Sequence, residues 1–266
     1  MGHTRFFYDN AWPLCALTAS DEAFGWPVEN TQHRWTSRTW RTTGAAAIAW
    51  AEGDVSGALP AGLLPQALIV WYANVSAAAV LTLASYNAGH ALQWSQGVPL
   101  GSNPNALIYA ALAPPSAQPV WRLTIDEAAA PSGWAYHDVG KLFLGSCFQP
   151  ARDFAPGRGR LPQDPTVRKY SEGGQISTVR RQKYQTRNYK FMAVDGPDAD
   201  LFEAFYEAVG LGGRFWFCED YREPSPRNFF YCQLNRYEWG HFAGHGRLDI
   251  EHREKWDLSI DIETLR

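Results

Sequence analysis

The chain has 266 residues, 45% of them hydrophobic, which supports one large or two ordinary packed domains and excludes general disorder. Aromatic residues reach 14%, with 12 Trp, and they are interspersed with 23 Gly and 17 Pro, a mixture that favours a β-sandwich or barrel over a helical bundle. A net charge of -3 and a pI near 6.2 exclude a dedicated nucleic-acid site, whose affinity would rest on phosphate neutralisation.

The N-terminal stretch "MGHTRFFYDNAWPLCAL" lacks a long apolar run and a cleavage site, so a protein not exported by a classical route is expected. The longest apolar stretches, such as "AAAIAWA" and "LLPQALIVWYANVSAAAVLTLA", are interrupted by Pro, Gln, Asn and Ser, and strands explain the second, of 22 residues, better than a membrane span. Apolar segments then recur between turn signals at 67–74, 78–86, 105–113, 120–126 and 140–146. In "VWRLTI", Val120, Arg122 and Thr124 share one face while Trp121, Leu123 and Ile125 share the other, the alternation of a half-buried strand. Residues 1–153 therefore read as an all-β sandwich.

"VGKLFLGSCFQPARDF" leads into a segment rich in Gly, Pro and Arg. Residues 1–153 hold 7 Lys/Arg and 10 Asp/Glu, whereas the shorter remainder holds 17 of each. This shift places a linker at 154–164 and a second, charged domain at 165–266. There, 176–184 and 186–194 read as two long strands, with Tyr189, Phe191 and Ala193 on one face. A helix is expected over about 197–210. Gly196 or Asp198 would cap it, and Leu201, Phe202, Phe205, Tyr206 and Val209 would form its buried face. Gly210, Gly212 and Gly213 would stop it. Strands at 214–220 and 227–240 follow, then a terminal strand burying Trp256, Leu258, Ile260 and Ile262. The second half is thus an α+β domain of antiparallel strands with one helix, and the whole chain is mainly β.

No catalytic signature stands out. Cys15, Cys147, Cys218 and Cys232 form no CxxC pair and read as buried free thiols. In "WGHFAGHG", His241 and His245 have the spacing of a helical zinc pair, but the surrounding glycines argue against a helix. "GLGGRF" ends a helix rather than starting one and lacks the Lys-Ser/Thr of a phosphate loop, and no G-x-S-x-G elbow is present. Acidic pairs such as Asp198/Asp200 and Glu219/Asp220 have capping or surface explanations. A hydrolase is therefore a third-ranked reading; no catalytic residue, metal or cofactor is assigned. The run from Arg158 to Lys190 carries nine basic residues against Asp164 and Glu172, a pattern that suits an acidic partner or a solvated hairpin face. Trp residues crowd the first half, Trp26, Trp35, Trp40, Trp50, Trp71, Trp94 and Trp134 among them. Most are assigned to the core, with Trp26, Trp40 and Trp71 as candidate glycan contacts.

Several dispersed segments carry a resemblance. "TASDEAFGWPVENTQHRWTSRTWRT", with Pro27-Val28-Glu29-Asn30 before the pair Trp40-Arg41, resembles the opening of a discoidin-like (galactose-binding-like) module of bacteriophage tail proteins. "ALIVWYANVSAAAVLTL" resembles its paired strands, and "VWRLTID" and "VGKLFLGSCFQPARDF" resemble its closing strands. Thr31-Gln32-His33 stand where that family has a more Leu-rich turn. The second half resembles distal-tail or baseplate proteins of long-tailed phages. The resemblance implies a structural subunit of a phage or phage-like tail tip, in a ring joining tail tube to baseplate. Its partners would be copies of itself, the tail tube and the tip or hub proteins. It would be made in the bacterial cytoplasm and reside in the virion. The candidate subunit interface is Arg180, Arg181, Lys183 and Arg187. The alternative is a carbohydrate-binding module that recognises a host-surface glycan.

Overall fold

The computed structural model describes residues 3–33, 37–44, 47–101, 103, 105–127, 134–156, 159–170, 172, 175–179, 183–241 and 256–265. The strands of the first half are β1 (Arg5–Asn10), β2 (Ala16–Ala19), β3 (Trp40–Arg41), β4 (Ile48–Asp54), β5 (Ala67–Ala73), β6 (Val80–Tyr86), β7 (Leu92–Val98), β8 (Leu107–Ala111), β9 (Val120–Asp126) and β10 (Asp138–Phe148). Next come β11 (Gly159–Gln163), β12 (Val167–Tyr170), β13 (Ile176–Val179), β14 (Tyr184–Val194) and the helix α1 (Gly196–Val209). The chain closes with β15 (Arg214–Cys218), β16 (Phe229–His241) and β17 (Trp256–Thr264). The mainly β class is as expected, and α1 is the one α-helix among the described residues.

The chain divides into two compact units. The sandwich unit comprises Asp9–Cys147 and Arg222–Asn228; the helix-bearing unit comprises Met1–Tyr8, Phe148–Tyr221 and Phe229–Arg266. The first residues were expected to belong to the sandwich, and 154–164 to a linker. Instead, residues 1–8 join the helix-bearing unit, and Gly159–Gln163 form β11, paired antiparallel with β14.

In the sandwich unit one sheet runs β2-β4-β9-β6-β7. In the other, β10 pairs with both β3 and β5, and β5 with β8. Every one of these pairings is antiparallel. β9 behaves as its alternation dictates: Trp121, Leu123 and Ile125 are buried, and Arg122 and Thr124 face outward. β4 turns its small residues inward, Ala49 and Ala51 at 0% exposure, and its Trp50 and Glu52 toward Arg122. Between the sheets Trp12 and Trp40 join the aliphatic core. The turn at Thr31-Gln32 is held by polar groups rather than leucines. Trp12 Nε1 donates to Thr31 Oγ1 at 2.8 Å, and Gln32 Nε2 donates to the carbonyls of Trp12 and Cys15.

In the helix-bearing unit the sheet runs β11-β14-β17-β16-β15-β1, all antiparallel. α1 starts and ends one residue before its expected bounds. Its cap is Asp195, whose side chain accepts from Asp198 N, rather than Gly196 or Asp198. Gly210 ends it at φ 64, and a Cβ on Gly213 would lie 1.8 Å from the Val209 carbonyl oxygen, so glycine is required there. Phe202 and Phe205 are fully buried, and Tyr206 and Val209 are partly buried, as the helical spacing predicts. Leu201, expected on that face, is 39% exposed. Of the terminal strand's inward set, Leu258, Ile260 and Ile262 are buried, while Trp256 stays 38% exposed.

Candidate functional site

The sandwich unit places a group of aromatic residues around Arg41. A turn begins the construction: Trp26 N donates to the Ala23 carbonyl, and Gly25 holds φ 83, a conformation glycine adopts without strain. Ala23 N donates to the Arg41 carbonyl, and Arg41 N donates back to the Trp26 carbonyl, so the turn is sewn to β3. Phe24, at its tip, is fully exposed, and Trp26 is 36% exposed.

Strand alternation then sets two adjacent residues apart. Trp40 points inward at 1% exposure, with Nε1 donating to the Asp21 carbonyl. Arg41 points outward, opposite Asp138 in the β3–β10 register. Its Nη2 lies 2.9 Å from Asp138 Oδ2. The guanidinium carbon stands 4.1 Å from the centroid of the Trp26 ring and 4.2 Å from that of Tyr136, within cation–π range of both. Asp138 Oδ1 and Arg41 Nε are buried and make no hydrogen bond among the described residues.

The segment carrying Tyr136 and Asp138 is fixed on both sides. Asn74 donates through Nδ2 to the Tyr136 carbonyl at 2.9 Å, and it exchanges two further hydrogen bonds with the Asp138 backbone. Thr42 and His137 bond each other through Thr42 N to the His137 carbonyl and His137 N to Thr42 Oγ1. Beside them Tyr72 holds φ 73, a strained conformation for a bulky residue. Gly140 makes room for it: a Cβ there would lie 2.2 Å from the Trp71 carbonyl oxygen and 3.3 Å from Tyr72 Cβ. Burial, and then the Asp138 carboxylate, raises the pKa of the Tyr72 hydroxyl above its ordinary value, so it stays a neutral donor and acceptor.

The three candidate glycan contacts separate. Trp26 belongs to the cluster. Trp40 is buried in the core, because its neighbour Arg41 takes the outward position. Trp71 is half-buried on β5, one residue before Tyr72. Sequence reasoning missed Arg41, Tyr72 and Tyr136 as site residues; Arg41 carried a signal, since an outward charge beside an inward Trp is what a strand demands. Trp134 and Phe24 are further exposed aromatics of this unit.

The candidate interface residues also separate. Arg180 and Arg181 lie outside the described residues. Lys183 is exposed and pairs with Asp164 at 3.1 Å. Arg187 is 5% exposed and cannot offer its guanidinium to a subunit interface. Its Nη1 donates to Glu219 Oε1 at 2.8 Å, Tyr189 donates to the same oxygen at 2.6 Å, and the guanidinium lies 3.7 Å from the Phe230 ring centroid. It is a structural ion pair of the core. His241 is in β16, and His245 lies outside the described residues. All four cysteines are free; Cys15, Cys218 and Cys232 are buried, and Cys147 is half-buried.

No family model matches the chain, and no curated protein matches it. Solved structures do show similarity over about half its length. The lectin domain of lectinolysin complexed with Lewis B antigen is 11% identical, with a TM-score of 0.41, covering 54% of this chain and 98% of that one. A chitosan-binding module from a Paenibacillus chitosanase/glucanase is 10% identical, with a TM-score of 0.40, covering 52% and 100%. A Streptococcus pneumoniae fucose-binding module is 11% identical, with a TM-score of 0.39, covering 52% and 95%.

Proposed function

We propose that the protein binds a carbohydrate at the Arg41 cluster of its sandwich unit. The observation that carries this reading is the guanidinium of Arg41, tied to Asp138 and set between the rings of Trp26 and Tyr136. Aromatic faces receive the C–H face of a sugar ring, and a fixed guanidinium and the Tyr72 hydroxyl bond its hydroxyl rim. The backbone hydrogen bonds of Asn74 and Thr42 hold these groups in place before a ligand arrives, which lowers the ordering cost of binding. A glycan screen followed by calorimetry on the best ligand tests it. Binding that weakens on Trp26→Ala and Arg41→Ala supports the site. No glycan bound, or unchanged affinity in both variants, sinks it.

A second reading is the structural subunit of a phage or phage-like tail tip, self-associated in a ring and resident in the virion. It rests on the resemblance to distal-tail proteins, and one feature of the helix-bearing unit favours self-association: the hairpin β12–β13, every strand residue of which is exposed. Electron microscopy of the purified protein looks for a closed ring. A monomer at every concentration counts against this reading and leaves the glycan site untouched.

A further inference from the structure

The hairpin β12–β13 buries none of its side chains, yet it carries apolar ones. Val167 pairs with Val179 and Tyr170 with Ile176 across the two strands. Their exposures are 36%, 49%, 69% and 62%. A lone two-stranded hairpin is marginal in water, and apolar side chains left in solvent add nothing to its stability. Strand alternation puts Val167, Val179 and Lys169 on one face and the more exposed pair Tyr170 and Ile176, with Arg168, on the other, and neither base has a carboxylate partner among the described residues.

The outer face of α1 has the complementary character. From Asp195 to Gly213 the chain contains Asp195, Asp198, Asp200, Glu203 and Glu207 and no Lys or Arg. Asp200, Glu203 and Glu207 form one exposed row. Leu201, Ala204 and Ala208 form the adjacent exposed row, and Leu211 beyond the helix end is 61% exposed. An apolar strip edged by acids matches the hairpin face that carries Tyr170, Ile176 and Arg168, in polarity and in sign.

We infer that the β12–β13 hairpin of one copy docks on the outer face of α1 of a second copy. This names the contact surfaces of the assembly reading above and rests on it. The two surfaces differ, so the contact is head-to-tail and closes into a ring or extends as a filament. Tyr170 and Ile176 would cover Leu201, Ala204 and Ala208, and Arg168, on the same hairpin face, would meet Glu203 and Glu207.

A charge-swap series read by analytical ultracentrifugation up to about 0.1 mM tests this. The hairpin variant is Arg168→Glu with Lys169→Glu; the helix variant is Glu203→Lys with Glu207→Lys; the third chain carries all four changes. All four positions are exposed, and an unchanged melting temperature verifies each fold. The expected result is concentration-dependent association of the native chain, at least about tenfold weaker in either two-residue variant and restored in the fourfold variant. Association that depends on the hairpin but not on Glu203 and Glu207 gives the hairpin another occupant and overturns the inference. Native-like association of the hairpin variant also overturns it while leaving self-assembly standing, and a native chain that stays monomeric removes both.

Discussion

Phe6 packs against Phe205 with ring centroids 5.2 Å apart and planes inclined by 59°. The strand that opens the chain thereby meets the helix near its other end. Phe6 also contacts Phe148, Phe191, Phe202, Phe215 and Phe217, so it stands among the aromatic rings of the helix-bearing unit. Both Phe6 and Phe205 are at most 1% exposed. Truncating either to Ala should lower the unfolding free energy of this unit by about 3–5 kcal/mol. Denaturant unfolding followed by tyrosine and tryptophan fluorescence measures it. A midpoint that does not move for Phe6→Ala would show that β1 is not integral to this core.

At the Arg41 cluster, Arg41→Lys is more informative than removal of the side chain. Lysine keeps the charge and can still reach Asp138, but it has no planar group to lie against Trp26 and Tyr136. Glycan affinity should fall about tenfold, with stability changed by less than about 1 kcal/mol. Trp26→Ala removes one stacking face and should weaken binding by a similar factor. Equal affinity of Arg41→Lys and the native chain would mean that charge alone, not the stacked geometry, serves the ligand.

Gly140 controls the site from behind. Any Cβ there meets the Trp71 carbonyl oxygen at 2.2 Å, and that atom is backbone and cannot step aside cheaply. Gly140→Ala should therefore cost about 1–3 kcal/mol and displace Tyr72. Glycan binding should weaken with it. Full stability and full affinity in this variant would contradict the placement of Tyr72.

Legibility in the sequence followed local physics. β9 was plain because one of its faces is wet and the other dry. α1 was plain because Phe202 and Phe205 recur at helical spacing before a run of glycines. β1 escaped notice because Phe6 and Phe7 are both buried, so its alternation is erased. β4 escaped because Ala49 and Ala51 fill its inward positions and look like no strand signal. At the site, Trp26 was legible as an aromatic residue in a turn. The exchange of roles between Trp40 and Arg41 depended on a strand only two residues long. The partner Asp138 lies 97 residues away in sequence, and the positive φ of Tyr72 leaves no mark on residue type.

Glu219 is the shared partner of a buried network. It accepts from Arg187 and Tyr189, and Arg160 stands 3.7 Å away. Glu219→Ala leaves the Arg187 charge buried without its carboxylate and should destabilise by about 3–5 kcal/mol. The double change Glu219→Ala with Arg187→Met removes the stranded charge and should recover part of that loss. A double-mutant cycle in urea measures the coupling; strictly additive effects would mean the pair is not coupled in the fold.

The cysteines report burial directly. Packing within the sandwich, and secondarily the Asp54 carboxylate, pushes the Cys15 thiol up to about 12. Burial likewise raises Cys218 and Cys232 well above the ordinary thiol value. Since the thiolate is the reacting species, Cys15 stays almost wholly in the unreactive thiol form at pH 8. Gly53 closes the cover over Cys15: a Cβ on it would lie 2.9 Å from Cys15 Sγ and from a Trp12 ring carbon. Cys147 is the half-buried exception. Native alkylation followed by peptide mass spectrometry should modify Cys147 first and leave the other three for the unfolded chain. Gly53→Ala, by forcing Trp12 and Cys15 to shift, should make Cys15 the second site to react. Labelling of Cys15 in the native chain at the rate of Cys147 would mean that the sandwich opens around Trp12 on the timescale of the reaction.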